Sequence, residues 1–190
     1  MTITINGTGT ITGASTLATT IASPSMTGAV VSAMASTVVT PGTSVASTSG
    51  ATIDFTSIPS WVKRITVMFS GVSTSGTTGF GVQAGTSGGA VATGYLGSSS
   101  RVGTPTSATI STGFIFNSNL AADVSHGDIV LVNITGNTWV ARGTIGQSNA
   151  GQTITVAGTI ALAAVLDRVR ITTGNGTDTF DAGTVNILYE

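Results

Sequence analysis

Charge enters this chain late. The first ionisable side chain is Asp54 and the first aromatic ring is Phe55; before them stand mainly Thr, Ser, Ala, Gly and Val, with isolated large apolar residues. Such a segment has too little bulky apolar surface to offset chain entropy with a core of its own. It also carries no net charge to keep it solvated as a disordered tail. The reading that satisfies both constraints is a segment ordered by packing against other chains. That points to an assembly protein rather than a freely diffusing enzyme.

The rest of the composition narrows the class. The 190 residues suit one domain, or one domain with an appendage. Charged residues make up only 7%, against about 25% in ordinary soluble proteins. Lys63 is the only lysine, and Arg64, Arg101, Arg142, Arg168 and Arg170 form no long basic run. With a net charge of -1 there is no electrostatic drive toward nucleic acid. Ser and Thr supply nearly a third of the residues, so hydroxyls are expected to cover the surface where charges ordinarily would. Mean hydropathy is positive, +0.44, yet no run of about 18 apolar residues exists and no membrane insertion is expected. The N-terminus lacks the basic start and apolar run of a signal peptide, so the protein is expected to be made and kept in a cytosol until assembly. Without cysteine, stability has to come from packing or oligomerisation.

Residues 1–50 read as one unit. Large apolar residues fall at Ile5, Ile11 and Leu17, then drift at Ile21, Met26 and Val30, with Asn6-Gly7, Thr12-Gly13 and Ser23-Pro24-Ser25 between them. A loose six-residue rhythm with turn residues suits short strands of a fibrous β structure, not a helix, whose stripe recurs at three and four. A low-complexity linker and a short helix over Ala29–Val39 are the alternatives. The turn-rich stretch from Thr40-Pro41-Gly42 to Gly50 marks a boundary, and residues 51–190 form the second unit. There, short strands are expected at 53–55, 62–69, 79–84, 109–116, 128–134, 138–145, 153–162, 167–172 and 184–189. Several alternate cleanly. Ile129, Leu131 and Asn133 share one face and Val130, Val132 and Ile134 the other, while Val169 and Ile171 oppose Arg168 and Arg170. Asn133 to Trp139 reads as a hairpin. The predicted fold class is all-β: an extended N-terminal segment followed by an antiparallel, jelly-roll-like β-sandwich.

Few constellations suggest chemistry. The only histidine, His126, lies between Ser125 and Asp128, but adjacent residues cannot converge on one substrate atom as a triad requires. It reads as a polar loop histidine, and one His without Cys makes a zinc site improbable. Asp178 and Asp181 are the nearest approach to a glycosidase carboxylate pair, but aromatics, the usual sugar platforms, are only 5%. Gly174 to Phe180 matches one unit of a glycine/aspartate calcium repeat, a motif that works in tandem copies; alone it reads as a tight loop. Asn6-Gly7-Thr8 and Asn175-Gly176-Thr177 match glycosylation sequons, which carry no meaning without a signal peptide. No Gly-Lys-Ser/Thr follows the glycines at 76–94, so no phosphate loop is expected. Residues 85–105 read as a long exposed loop, with Tyr95 and Arg101 as candidate glycan or receptor contacts. Trp61 and Trp139 read as packing residues. No catalytic residue, cofactor or metal is expected.

The segment Trp61-Val62-Lys63-Arg64-Ile65-Thr66-Val67-Met68-Phe69 through Gly76 resembles a recurrent segment of tail and tail-fibre proteins of tailed bacteriophages and prophages. So do Gly94-Tyr95, Thr112-Gly113-Phe114-Ile115-Phe116 and, most distinctively, the stretch from Leu166-Asp167-Arg168-Val169-Arg170 through Asp178-Thr179-Phe180-Asp181 to Tyr189-Glu190. The resemblance covers about residues 52–190, and the opening Thr2 to Thr8 is also similar to the starts of such proteins. It implies a non-enzymatic virion component, on the tail or capsid surface, with no catalytic residue to carry over. Fibres of this kind are usually trimers, and a threefold axis lets small-residue strands cover one another's edges. Residues 1–50 would then anchor to other virion proteins through Ile3, Ile5, Ile11, Leu17 and Ile21. The sandwich would project outward as a short tail fibre with a host-surface binding role. A capsid decoration or head-fibre protein is the alternative reading.

Overall fold

A computed structural model of the chain describes residues 39–103, 106–117 and 120–190. The chain divides into two units, Met1–Met34 and Ala35–Glu190. The expected anchor side chains Ile3, Ile5, Ile11, Leu17 and Ile21 lie outside the described residues, as does the fibrous β structure expected around them. Among the described residues there are fourteen strands and no helix. In chain order they are β1 (Thr40–Pro41), β2 (Val45–Ala46), β3 (Thr52–Phe55), β4 (Arg64–Thr74), β5 (Phe80–Thr86), β6 (Gly89–Ala90) and β7 (Leu96–Val102). They continue with β8 (Thr106–Ile110), β9 (Phe114–Ile115), β10 (Ser125–Thr135), β11 (Thr138–Gln147), β12 (Gln152–Ala161), β13 (Arg168–Thr173) and β14 (Phe180–Tyr189).

Two antiparallel sheets result. The larger has nine strands in the order β1-β14-β4-β10-β11-β12-β7-β8, with β2 also on β14. The smaller has five, β3-β13-β5-β6 with β9 on β5. Alternation explains why the strands form where they do. In β10, Ile129 and Leu131 are fully buried while Val132 and Ile134, one residue out of phase, are exposed. In β13, Val169 and Ile171 are buried, and Arg168 and Arg170 lie on the other side. The hairpin between β10 and β11 closes where the sequence placed it, with Asn133 opposite Trp139.

The core lies between the inward faces. Phe69 of β4 packs edge-on against Phe80 of β5 at 5.2 Å, and Phe116 and Phe180 each stand within 6.2 Å of Phe80. Around them sit Ile65, Val67, Ile145, Ile154 and Ile171, each essentially inaccessible. Every such side chain contributes about 1.5–3 kcal/mol on burial. Trp139 is buried among them, and half-buried Trp61 packs on Tyr189 at 6.0 Å, as packing residues should.

Three sequence expectations need correction, the first being the single strand over 109–116, which is two: β8 in the large sheet and β9 in the small. The boundary at residue 50 falls inside the β domain. Thr40 and Pro41 pair with Tyr189 and Leu188, and Val45 and Ala46 pair with Val185 and Thr184. Gly42 N–H donates to Ile187 O at 2.7 Å, and the buried Ser47 donates its hydroxyl to Ala182 O at 2.8 Å. Without this strap β14 would be an edge strand with a row of open backbone groups. Covering it takes main chain, so small uncharged residues suffice and composition gives no sign of it. The long loop expected over 85–105 is likewise two strands. β7 pairs with β12 from Leu96 opposite Thr159 to Val102 opposite Thr153. The sequence conceals β7 because its inward positions hold Ser99 and Arg101 in place of apolar residues.

Candidate functional site

Tyr95 and Arg101, expected as surface contacts, are both interior. Tyr95 is 2% exposed, and its ring meets Phe114 edge-on at 4.9 Å. Its hydroxyl accepts from Ala84 N–H at 2.8 Å and donates to Val91 O at 2.9 Å. Burial pushes the hydroxyl's pKa well above the ordinary tyrosine range, with the Ala84 backbone bond opposing it. Arg101 is 6% exposed and donates through Nη2 to Asn117 O at 3.2 Å. Neither side chain can meet a glycan or a receptor. Both tie the segment around β7 to its neighbours, because β5, Val91 just after β6 and Asn117 just after β9 bring acceptors and donors to them.

The other chemistry-bearing residues resolve as parts of the frame. His126 lies on a strand rather than a loop, and its Nδ1 accepts from Gly71 N–H at 3.1 Å. Ser125 points inward and is buried, while His126 and Asp128 are exposed, so the three do not converge. The Asp178 carboxylate accepts from Thr78 Oγ1 at 2.6 Å, Thr78 N–H at 3.2 Å and Asn175 Nδ2 at 2.8 Å. The Thr78 hydroxyl bond, then the Asn175 bond, holds its carboxyl below the usual range. Asn175 Oδ1 in turn accepts from the N–H groups of Thr177 and Asp178, a side-chain turn that shapes the Gly174–Phe180 loop. Asp178 thus latches the β13–β14 turn to the β4–β5 turn. The fit is close enough that a Cβ on Gly76 would land on the carboxylate.

The outward face of the large sheet is the surface on which these elements leave a coherent patch. Three rows cross it in register. One runs Leu188, Thr66, Val130, Arg142, Ala157, Ser98 and Thr109. The next runs Asn186, Met68, Asp128, Thr144, Thr155, Ser100 and Ser107. The third runs Arg64, Val132, Val140, Thr159 and Leu96. These rows carry three charged residues. Arg64 is paired with Glu190 at 2.9 Å. Asp128 and Arg142, both exposed, border a shallow groove of about 500 Å³ over Val130, and among the described residues neither forms an ion pair. Leu96, Val132 and Ile134 are 69%, 39% and 63% exposed on the same side.

The small sheet differs. There Arg170 grips Asp54 through two bonds of 2.8 Å, and Arg168 reaches Asp167 at 3.3 Å. The Arg170 hydrogen bond, outweighing partial burial, holds the Asp54 carboxyl below its usual range. Charges on the small sheet are therefore neutralised within the chain. Sequence reasoning found the outward set Val130, Val132 and Ile134 but not the patch, because only strand order places Arg142, Thr155 and Leu96 beside them.

Among the described residues no cluster of three or more potential metal ligands occurs, and no helix is long and apolar enough to cross a membrane. Comparison with protein-family models, with curated proteins and with solved structures returns no match for this chain.

Proposed function

We propose that the chain is a non-enzymatic structural virion protein of a tailed bacteriophage, a short trimeric tail fibre whose β-sandwich projects from the particle. The observation that carries this reading is the broad, hydroxyl-rich outward face of the large sheet, where Thr66, Ser98, Ser100, Thr144, Thr155 and Thr159 stand among apolar side chains and three charges. Such a face is suited to packing against protein, not to turning over a small substrate. The charge-free N-terminal sequence supports the reading by needing partners to be ordered. The resemblance of Trp61 to Gly76 and of Leu166 to Glu190 to tail proteins supplies the setting. Those two segments contain β4, β13 and β14, the framework strands of both sheets.

The test is the copy number and position of this chain in intact particles, read by cryo-electron microscopy. A few trimers at the tail are expected. Hundreds of copies repeating over the capsid lattice would replace the fibre by a decoration protein. A variant lacking residues 1–34 should keep the β domain folded yet fail to enter particles; undiminished incorporation would remove that segment from the anchor role.

A further inference from the structure

We infer that the outward face of the large sheet is where copies of this chain associate, with Asp128 of one copy paired to Arg142 of another. The inference rests on the reading of the chain as an assembled structural protein and names the surface that does the assembling. Three observations lead there. First, size: seven strands, β14 to β8, each occupying about 4.8 Å, span about 34 Å, and the three rows, each taking up two residues of about 3.4 Å along the strands, cover about 20 Å. The resulting patch of roughly 700 Å² approaches the about 800 Å² per partner of a specific interface. Second, composition: the Ser and Thr residues of the rows, with Ala157, are small enough to let two faces approach closely. Exposed Leu96, Val132 and Ile134 supply apolar area that water penalises. Third, charge: the described ion pairs join Arg64 to Glu190, Arg168 to Asp167 and Arg170 to Asp54. Asp128 and Arg142 are in none of these pairs, as Asp181 and Lys63 are not; what distinguishes them is that they are opposite in sign, on adjacent strands and one alternate position apart, with Asp128 facing Thr144 and Arg142 facing Val130.

That arrangement is self-complementary. A twofold axis lying in the interface and bisecting the line between the two residues sets each Asp128 over the other copy's Arg142. A threefold ring can satisfy the same pairs head to tail, each copy giving Asp128 to one neighbour and Arg142 to the other, but only where the faces meet at their edges, so the full face is covered in the twofold arrangement. In both cases the pair fixes register across a face whose hydroxyl and aliphatic rows would otherwise tolerate sliding, the role charge complementarity plays best. A groove already open between the two residues leaves room for the partner's side chains.

The experiment uses the full chain at micromolar concentration, with mass read by sedimentation or light scattering. The parent should be oligomeric. Asp128→Arg and Arg142→Asp should each raise the dissociation constant roughly tenfold or more, because like charges then meet in the interface. The double variant, Asp128→Arg with Arg142→Asp, should restore the parent's mass. Circular dichroism on each variant separates dissociation from unfolding, and both sites are exposed enough to tolerate the exchange. A monomeric parent would overturn both the interface and the trimeric reading, including the case in which residues 1–38 of the same chain cover the face. An oligomeric parent indifferent to either single exchange would overturn this face while leaving assembly intact. Single variants that dissociate without rescue by the double would overturn the Asp128–Arg142 pairing.

Discussion

At the scale of single residues, the side chains that looked most available are held by backbone groups from elsewhere. Tyr95 is the clearest case. Its hydroxyl meets Ala84 N–H and Val91 O, so Tyr95→Phe leaves a buried donor without a partner. We expect a loss of about 1–3 kcal/mol in urea unfolding; a variant as stable as the parent would show that the hydroxyl does not support Ala84. Asp178 and Asp54 act through ionisation. Both have carboxyls held below the ordinary value of 3.8 in the folded state, by Thr78 and Asn175 for the first and by Arg170 for the second. A depressed carboxyl contributes stability at pH values above its unfolded pKa, and the contribution is lost as pH falls through the folded one. Thermal stability should therefore be flat near neutrality and decline below about pH 4. The decline should be shallower in Asp178→Asn and Asp54→Asn, which have no proton to take up. An unchanged acid limb in both variants would contradict this assignment. None of these roles was legible in the sequence. A tyrosine flanked by glycine and small residues looks the same on a loop as in a core, and the partner of Asp178 lies a hundred positions away.

At the scale of elements, β4 and β14 form the seam on which the large sheet turns. Both strands are irregular at the same place: Gly71 and Gly183 adopt φ of 68° and 97°, and the register shifts between Ala182 and Thr184. A Cβ on Gly183 would sit 2.5 Å from the Gly71 carbonyl carbon and oxygen. Gly183→Ala should therefore cost about 1–3 kcal/mol from backbone strain, with the clash adding to it. Gly176, at φ 71° with open space where its Cβ would go, is the control, and Gly176→Ala should incur the left-handed strain without the clash, about 1–2 kcal/mol. Thermal unfolding of the two variants checks this; equal losses would mean that the seam is not close-packed. The strands that the sequence announced, β10 to β14 above all, have one apolar face over several residues. Those it concealed have none. β1 and β2 contribute main chain alone, and β7 turns serine and arginine inward, where Ser99 donates its hydroxyl to Thr155 O at 3.0 Å. Alternating hydrophobicity reports burial, and these strands are ordered by hydrogen bonding that leaves no such mark.

At the scale of the whole molecule, the fold segregates its charges. The small sheet pairs its ions internally; the large sheet pairs Arg64 with Glu190 but keeps Asp128 and Arg142 open on a face rich in hydroxyls and apolar side chains. On the proposal above, that asymmetry marks the outer face of the large sheet as the associating one, and the charge-exchange experiment and the particle copy number test it at two levels. The sequence by itself determined the all-β class, the antiparallel sandwich and the inward set of Ile129, Leu131, Val169 and Ile171. It did so because period-two alternation and turn residues are local, and a strand's buried face is written in its own few positions. Only the tertiary structure decided that Tyr95 and Arg101 are interior, that residues 40–46 belong to the sheet, and which outward residues share a patch. Those facts depend on which strands become neighbours, and backbone pairing between distant segments is nearly indifferent to the side chains that accompany it.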